Sequence, residues 1–560
     1  MNKRKVSTLI SVLLAILVWA AVEWVLFYVF LPPINVRSVG FWAFLIVSLG
    51  LLAISVATLA LGERFFALER GKRGKVTGVR LGTAPFTRIS LIVLAVLIVL
   101  LILLGIASSS AFNARRYASV ISVSERDFAT DMPKTSEVTN IALMDTASAR
   151  ILGTRKLGEL SDVVSQFVVS EEYTQINFKG KPKKVAPLEY DGFFKWFNNK
   201  ATGVPGYIMV DAVDNYAEYV SLPEGEGIRY TESAYFGKDL RRALRFAYPT
   251  KILGNISLEV DESGDPYYIV SCMKPRVGLF GAQDVSEVIL FDPVDGSHTL
   301  LALDEVPSWI DIVYDGDLVC TKYNWQGTLS GGFLNSIIGN KGCKQTTDDF
   351  GYLMMDDDVW YFTGVTSVTA DASNIGFILS NARTGEYKYY AVNGAEEHSA
   401  MGAAEGEVQE TRYTASFPAL VNIAGEPSYI MVLKDDNGLV KLYALVNVEQ
   451  YNIVATGETQ AAAIAAYTRR LAGEGIDVSD SSAAVTDTVT VGEIHLLPSD
   501  GGTALYLRGA RADGTVCLYK SLFKPELEVL LLLSPGDSVT VKSTPTDTDR
   551  IFEILEVALP

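Results

Sequence analysis

The side chains that proteins use most often for catalysis are scarce in this chain of 560 residues. There are only three histidines: His298 in the polar turn DGSHT, His398 after GAEE, and His495 in a strand-like stretch. None has a second histidine or a cysteine at metal-ligand spacing, and no G-x-S-x-G motif is present. These patterns argue against a zinc site and against Ser-His-Asp catalysis. We therefore expect no catalytic residues, no cofactor and no metal site.

Cysteines and glycine-rich loops give equally little support for chemistry. The four cysteines are too few for a disulfide scaffold and form no C-x-x-C pair. Two interpretations stay open for them, a single bridge between Cys320 and Cys343 or free thiols. The segment GNKGCKQTT at 339–347 is similar to a phosphate-binding loop, but its spacing does not fit G-x-x-x-x-G-K-[ST].

Two acidic clusters, the run Asp356–Asp358 and the turn Asp261–Asp265, are candidates for calcium binding. Carboxylates in a loop can bind Ca²⁺ outside cells, where millimolar affinity suffices. Both clusters, however, fall at the equivalent turn of an internal repeat, and a further copy has the uncharged sequence IAG there. We therefore favour solvated hairpin turns and leave calcium binding open.

A basic and aromatic segment is the candidate binding surface in an otherwise acidic region. Its basic residues are Lys179, Lys181, Lys183, Lys184 and Lys195, and Trp196 lies among its aromatic residues. Such a combination can dock on anionic lipid headgroups or on an anionic wall polymer. The alternative, which we favour, is a basic hairpin beside a helix whose aromatic side chains fill the core.

The elements that carry these residues begin with three long apolar runs. The runs cover residues 8–31, 41–61 and 89–107, within an anchor formed by residues 1–112. Each has roughly the 20 residues that cross about 30 Å of hydrocarbon. The first run is too long for a cleaved signal peptide and lacks a small-x-small cleavage site. We expect three transmembrane helices that hold the chain in a lipid bilayer.

Basic residues near the ends of these runs predict their orientation. The N-terminus and the loop between the second and third runs hold 10 Lys and Arg, whereas the opposite side has only Arg37, Arg115 and Arg116. Positive charge collects on the cytoplasmic side of membrane proteins. We therefore expect a multi-pass protein of the cell membrane with a cytoplasmic N-terminus and an extracytoplasmic C-terminal ectodomain.

Glu23 is the one acidic residue within the first apolar run. Ionisable groups inside a membrane are costly and often mark an ion path or a polar contact with another helix. Glu23 nevertheless lies in the outer part of its run, beside Trp24 and Tyr28, where a belt of interfacial aromatic residues is expected. We favour the interfacial position and keep an intramembrane polar contact as the alternative.

The ectodomain divides into three parts. Residues 113–250 alternate strand-like and helix-like segments and predict a membrane-proximal α/β domain. A degenerate repeat follows in residues 251–475, with copies at 255–303, 350–392 and 416–457, each with the pattern of four strands. After a linker rich in Ser, Asp, Ala and Thr, residues 488–560 predict a small closed barrel of OB or SH3 type. The predicted fold is three N-terminal transmembrane α-helices, a multi-module α+β ectodomain of repeated antiparallel sheets, and a small C-terminal β-barrel.

The turns DPVDG at 292–296 and ARTGE at 382–386 each follow one strand and open the next. In this respect the repeat resembles PepSY-type modules, small α+β domains of secreted and membrane proteins. That resemblance implies a binding or inhibitory ectodomain without catalysis. Phrases such as YDGFFKWFNN, GYIMVD and VNVEQYNIVATG are similar to those of uncharacterised multi-pass membrane proteins of Firmicutes-type bacteria. This second resemblance implies a location in the bacterial cell envelope and no activity.

Charge divides the chain at the end of the anchor. Residues 1–109 hold 11 Lys and Arg and 3 Asp and Glu, so of the 48 and 65 in the whole chain the remaining residues hold 37 and 62. Their net charge of −25 repels phosphate backbones, and we expect no nucleic-acid partner. We expect instead a membrane-anchored protein that binds or scaffolds an envelope protein or polymer, without catalysis. Two alternatives stay open: an envelope hydrolase with dispersed carboxylates, and an accessory subunit of a membrane transport or secretion complex.

Overall fold

The computed structural model describes residues 3–62, 66–70, 76–81, 84–134, 141–476, 478, 485–499, 502–523, 525–546 and 550–559. Within these residues three helices are long and apolar enough to span a membrane, which confirms the prediction. The first span is in α1 (Lys3–Phe30), the second joins α2 (Val39–Ser55) to a π-helical turn (Val56–Ala60), and the third is α3 (Pro85–Ser108). Side chains of α3 such as Ile92 and Val96 face outward, where hydrocarbon can cover them.

A short antiparallel hairpin of β1 (Phe66–Arg70) and β2 (Val76–Leu81) joins the second span to the third. The hairpin follows two candidate spans and the ectodomain follows three, so a chain in which all three helices cross the membrane has the hairpin and the ectodomain on opposite sides. Of the basic residues that predict the orientation, Arg64, Lys72, Arg73 and Lys75 lie outside the described residues. The direction of insertion therefore stays a prediction.

A connecting segment leads from α3 into the ectodomain. Its elements are α4 (Ser110–Ala118), β3 (Val123–Arg126), α5 (Phe128–Asp131), α6 (Thr146–Gly158), α7 (Ser161–Val164) and β4 (Phe167–Val169). Strand β3 does not stay in this segment but pairs in parallel with a strand more than 250 residues further along, since Val123 lies opposite Tyr387.

Four modules follow, each built around a four-stranded antiparallel meander. Module A has β5 (Thr174–Phe178), β6 (Lys181–Tyr190), α8 (Phe193–Asn199), β7 (Gly206–Asp211) and β8 (Tyr216–Ser221). Module B has α9 (Leu240–Ala247), β9 (Ile252–Val260), β10 (Pro266–Val277), β11 (Gly281–Phe291) and β12 (His298–Ala302).

The other two modules repeat the order of module B and add a short strand that pairs with the second strand of the meander, as β4 pairs with β6 in module A. Module C has α10 (Gly316–Leu329), β13 (Lys344–Thr346), β14 (Gly351–Met355), β15 (Asp358–Ser367), β16 (Ala370–Asn381) and β17 (Tyr387–Tyr390). Module D has α11 (Glu397–Glu407), β18 (Thr414–Ala415), β19 (Ala419–Ile423), β20 (Glu426–Lys434), β21 (Val440–Asn447) and β22 (Val454–Gly457). Modules B, C and D are the three predicted copies, and module A is a fourth that the sequence pattern did not reveal.

Two kinds of turn recur in the modules. In modules A, C and D the first two strands are joined by two residues with positive φ, for example 55° and 74° at Lys179 and Gly180. This is the twist that tight hairpins require. Before the fourth strand, an Asp or Asn side chain accepts a backbone N–H of the turn, as Asp292 does from Val294 at 2.7 Å. The equivalent residues are Asp211, Asn381 and Asn447.

The modules stack face to face, and each neighbouring pair shares one hydrophobic core. Modules A and B bury Tyr207 and Phe291 between them, together with α9. A second core joins modules B and C with α10, and a third joins modules C and D with α11. The remaining face of module A packs on α6 and α8, and that of module D on α12 (Gln460–Gly473). Both faces of modules B and C are thus buried, which explains why their strands are so apolar.

The ectodomain is seated on α1 through the end of α9. Arg245 donates its Nε–H to the carbonyl of Leu31 at 2.9 Å, just after α1 ends. The N–H of Ile34 donates to the carbonyl of Pro249 at 2.7 Å. Arg245 thus bonds a carbonyl just past the C-terminal end of α1, where helical carbonyls lack intrahelical partners.

A second contact joins the ectodomain to α3 through the turn between β10 and β11. The N–H of Leu279 donates to Ser108 Oγ at 2.9 Å, and the Tyr117 hydroxyl donates to the Ser108 carbonyl at 2.8 Å. A side chain at Gly281 would not fit, because its Cβ would lie 2.2 Å from that carbonyl oxygen. The ectodomain is therefore attached closely to two of the three spans.

The C-terminal strands form a closed five-stranded barrel, as predicted. They are β23 (Val485–Ser499), β24 (Gly502–Arg511), β25 (Val516–Leu522), β26 (Ser538–Pro545) and β27 (Ile551–Ala558). The order around the barrel is β23-β24-β25-β27-β26, with β25 and β27 parallel. Most of the predicted linker lies outside the described residues.

Candidate functional site

A polar groove lies where the first strands of modules A, B and C come together. It consists of two adjacent cavities of about 250 and 470 Å³, which share Asp317 and Phe350 in their walls. Strands β5 and β9, the first turn of α10 and the segment from β13 to β14 form these walls. Hydroxyl, amide and carboxylate groups line most of the groove, which we call the central groove.

Three aromatic rings form the floor of the central groove. Phe350 and Tyr352 both pack against Tyr361, with ring centroids 5.3 Å apart in each pair. Gly316, at the start of α10, allows Phe350 to approach, because a Cβ there would lie 2.3 Å from the Phe350 ring. Aromatic surfaces of this kind pack well against the apolar face of a ligand ring.

One buried polar atom of a residue in the groove wall has no hydrogen-bond partner in the described part of the chain. It is Oε1 of Gln175, whose side chain is only 2% exposed and whose Nε2 donates to the Lys183 carbonyl at 3.1 Å. The hydroxyl of Tyr173, which also has no such partner, instead points into the module A core beside Gly153 of α6. An unpaired buried polar atom costs about 1–3 kcal/mol. A ligand that donates a hydrogen bond to Gln175 would remove such a cost.

The charge of the groove is negative. Its acidic lining residues are Glu172, Asp315, Asp317 and Asp348, and among the described residues no Lys, Arg or His lines it. Asp315 caps α10 by accepting the N–H of Leu318 at 2.9 Å, and burial raises the pKa of Asp315. The groove therefore attracts cationic groups and hydrogen-bond donors and repels phosphate.

No family model matches this chain, and no curated protein matches it either. The chemistry of the central groove therefore has to be argued from its own residues. Sequence reasoning missed them because they come from separate segments around residues 172–175, 255–257, 315–324 and 345–361. The only local signal was the sequence DGD at 315–317, which begins a helix.

Two buried carboxylates lie next to the groove and fix its backbone. Glu259 on β9 accepts the N–H groups of Asp311 at 2.7 Å and of Ile312 at 3.0 Å. Asp311 in turn accepts the N–H of Asn177 from module A at 2.6 Å. Burial raises the pKa of both carboxyls, and the charge of Glu259 adds to the rise for Asp311. Since Ile312 lines the groove, this pair holds one wall in place.

The structure separates the lysines of the predicted basic surface. Lys183 is buried in an ion pair with Asp211 at 2.6 Å. Lys184 lies on the other face of β6 and is 1% exposed, and burial lowers its pKa to about 8. Lys179 and Lys181, in contrast, are exposed at the turn before β6. Lys183 and Lys184 therefore belong to the interior and cannot contact a lipid surface.

The aromatic part of that surface divides in the same way. Trp196 is 5% exposed and lies in the core of module A, as the favoured alternative expected. Lys195 points outward from α8 and donates to the Ser165 carbonyl. Phe194 and Phe197 on the same helix remain exposed. Helix α8 thus has one buried and one exposed aromatic face.

The predicted acidic turns hold their own backbone and neighbouring side chains. Asp358 forms an ion pair with Arg383 at 2.6 Å, and Asp261 accepts the N–H groups of Ser263 and Asp265 at 2.8 and 3.0 Å. Within the described ranges, no group of three or more His, Cys, Asp or Glu is placed to hold a metal ion. Asp358 therefore forms a structural ion pair and is not a solvated turn residue.

The four cysteines and Glu23 are the remaining residues that the sequence singled out, for a disulfide bridge and for an intramembrane polar contact. All four thiols are free, and burial raises the pKa of Cys272 to about 11 and that of Cys320 to about 12. In α1, Oε2 of Glu23 is shielded by protein and has no hydrogen-bond partner in the described chain. The adjacent Trp24 side chain is exposed. Neither predicted position of Glu23 is decided by these contacts.

Proposed function

We propose that this chain is a membrane-anchored, extracytoplasmic binding protein of the bacterial cell envelope, and that the central groove holds its ligand without catalysis. The observation that carries the proposal is the combination of an aromatic floor, carboxylates and the unpaired amide oxygen of Gln175 in one groove. Ligand sites are typically concave and combine apolar surface with a few polar groups that orient the ligand. The predicted excess of basic residues on the opposite side of the membrane supports the extracytoplasmic location.

The lining favours a hydroxyl-rich or amine-bearing envelope polymer, such as a neutral or amino-sugar glycan, over a phosphate-rich one. Sugar hydroxyls and ammonium groups donate hydrogen bonds to carboxylates such as Asp317 and to the free Oε1 of Gln175. Sugar rings present an apolar face to aromatic side chains such as Phe350. A phosphate group would meet only negative charge in this groove.

The test is binding of purified glycan fragments to the full chain in detergent micelles, measured by calorimetry. We expect neutral or amino-sugar fragments to bind and a phosphate-rich wall polymer not to bind. Asp317→Asn should weaken binding several-fold, whereas Asp304→Asn, which changes an exposed carboxylate outside the groove, is the matched control and should not.

Four outcomes would contradict the proposal. Equal affinity of the groove variants and the control would place the ligand elsewhere, and preferential binding of the phosphate-rich polymer would reverse the charge argument. Cleavage of a bound glycan would favour the alternative function, a carboxylate hydrolase, over a binding protein without catalysis. Recovery of a stoichiometric membrane protein with the chain from native membranes, without glycan binding, would favour the accessory subunit of a transport or secretion complex.

A further inference from the structure

Two exposed apolar patches lie on the ectodomain beside the spans. The first, the aromatic patch, consists of Phe194, Phe197 and Phe236, which are 78%, 51% and 58% exposed. The second, the aliphatic patch, consists of Leu334, Ile337 and Ile338, which are 72%, 59% and 79% exposed. Large apolar side chains that are exposed together usually mark a protein or membrane contact.

The aromatic patch adjoins the end of α1. Arg242 connects them, because its guanidinium donates to the carbonyl of Tyr28 at 3.3 Å and to the carbonyl of Phe236 at 2.7 Å. The Phe236 ring packs on Trp196 of α8, with centroids 5.7 Å apart. Nearby, the Phe246 ring lies 6.0 Å from that of Trp24, which is within the first span. The aromatic patch is therefore level with the last turns of a membrane helix.

The aliphatic patch adjoins the end of α3 in the same way. Tyr117, whose hydroxyl bonds the last residue of α3, packs against Trp325 with ring centroids 5.1 Å apart. Trp325 and Phe333 belong to the same small core as Tyr117. Leu334 follows directly in sequence, and Ile337 and Ile338 lie in the π-helical turn that comes next.

Basic residues accompany both patches, although the ectodomain as a whole is acidic. Lys200 lies over the Phe197 ring, with Nζ 3.8 Å from the centroid. Arg115 and Arg116 are exposed on α4, and Lys341 is exposed just after the aliphatic patch. Apolar side chains flanked by Lys and Arg are the pattern of surfaces that insert into anionic lipid interfaces.

We propose that the aromatic and aliphatic patches insert into the interface of the same bilayer that holds the three spans, so that the ectodomain lies on the lipid surface at two points. The bilayer is the occupant because both patches continue from the ends of spans, on the same side of the membrane. The ectodomain is then held by lipid contact as well as by its contacts with α1 and α3. This inference does not depend on the ligand of the central groove.

The test uses the full chain in nanodiscs of phosphatidylcholine and phosphatidylglycerol. Phe194→Cys and Ile338→Cys are each labelled with a polarity-sensitive fluorophore and compared in discs with and without brominated acyl chains. Ser263→Cys is the matched control: it is exposed on the turn at the opposite end of the 12-residue β10, about 36 Å from the turn that contacts α3. The native cysteines are buried or half-buried, so the unsubstituted chain gives the background labelling.

We expect brominated lipid to quench both patch labels several-fold more than the Ser263 label. If either patch label behaves like the control, contact at two points is wrong. If the labels are shielded from aqueous iodide but not quenched by bromine, protein covers the patches, as a second copy or a partner, and the lipid proposal is overturned.

Discussion

Replacing Glu397 with Gln is expected to remove a pH dependence from the stability of the core between modules C and D. Glu397 is the first residue of α11 and is 0% exposed. Its Oε1 accepts the N–H of Gly364 from β15 at 2.6 Å, so the carboxyl joins the two modules. Burial raises the pKa of Glu397 from 4.5 to about 7.

The direction of this pH dependence follows from whether the folded or the unfolded chain holds the proton on Glu397. Between pH 4.5 and about 7 the folded chain keeps a proton on Glu397 that the unfolded chain has released. The free energy of unfolding therefore falls as the pH rises through this window, by about 3 kcal/mol in total. Gln cannot ionise and still offers an oxygen to Gly364. Glu397→Gln should thus gain about 3 kcal/mol at pH 8 and almost nothing at pH 4.5.

Hydrogen exchange by mass spectrometry on the full chain in micelles measures this difference locally. Exchange in peptides from β15 and α11, corrected for the intrinsic effect of pH, should slow in Glu397→Gln at pH 8 but match the unsubstituted chain near pH 4.5. Glu407→Gln, an exposed position on the same helix, is the control and should follow the unsubstituted chain throughout. The reasoning is refuted if the difference between the Glu397 variant and the unsubstituted chain does not grow with pH.

Four further predictions concern other buried groups. Lys183→Met should lower the free energy of unfolding by about 3–5 kcal/mol in urea titrations, because Asp211 stays buried without its counter-ion. Lys184→Met should instead raise the free energy of unfolding at pH 7, since Lys184 is buried without an ion-pair partner in the described chain. Equal effects of the two lysine substitutions would contradict the burial argument. Gly281→Ala should detach the β10–β11 turn from Ser108 and make the end of α3 accessible to protease, whereas unchanged digestion would refute the close contact. Thiol titration should count four free thiols in denaturant and far fewer in the folded chain, and fewer than four in denaturant would indicate a bridge.

The spans, the repeat in modules B to D and the barrel could be predicted because their signals are local. Uncharged runs of about 20 residues leave few alternatives to a membrane helix. Alternating apolar residues between turn residues such as Asp292 and Gly296 identify strands without knowledge of their partners. The observed boundaries differ from the predicted ones by only a few residues. The third span, for example, begins at Pro85, whereas the predicted run begins at residue 89.

Module A was missed because its second strand does not look like a strand that is buried on both faces. The sequence KPKKVAPLEY of β6 contains three lysines and two prolines, yet eight of its ten residues are buried. Lys183 is accepted there because Asp211, 28 residues away, supplies a charge, and sequence spacing gives no sign of that pairing. The central groove was hidden for the same reason, since its walls exist only once three modules have packed together.

The parallel pairing of β3 with β17 has a consequence for the order in which the chain is assembled. Ser124 follows soon after the third span in sequence, but the carbonyl to which its hydroxyl donates belongs to Tyr387, 263 residues later. While the chain is being synthesised, β3 therefore has no native partner strand, and its exposed edge can pair wrongly with other strands. Since β17 is the last strand of module C, β3 reaches its native pairing only after three of the four modules have been made. Chains that terminate before Tyr387 would keep their spans but leave this segment unpaired, so quality control would meet them as membrane-bound, unfinished ectodomains.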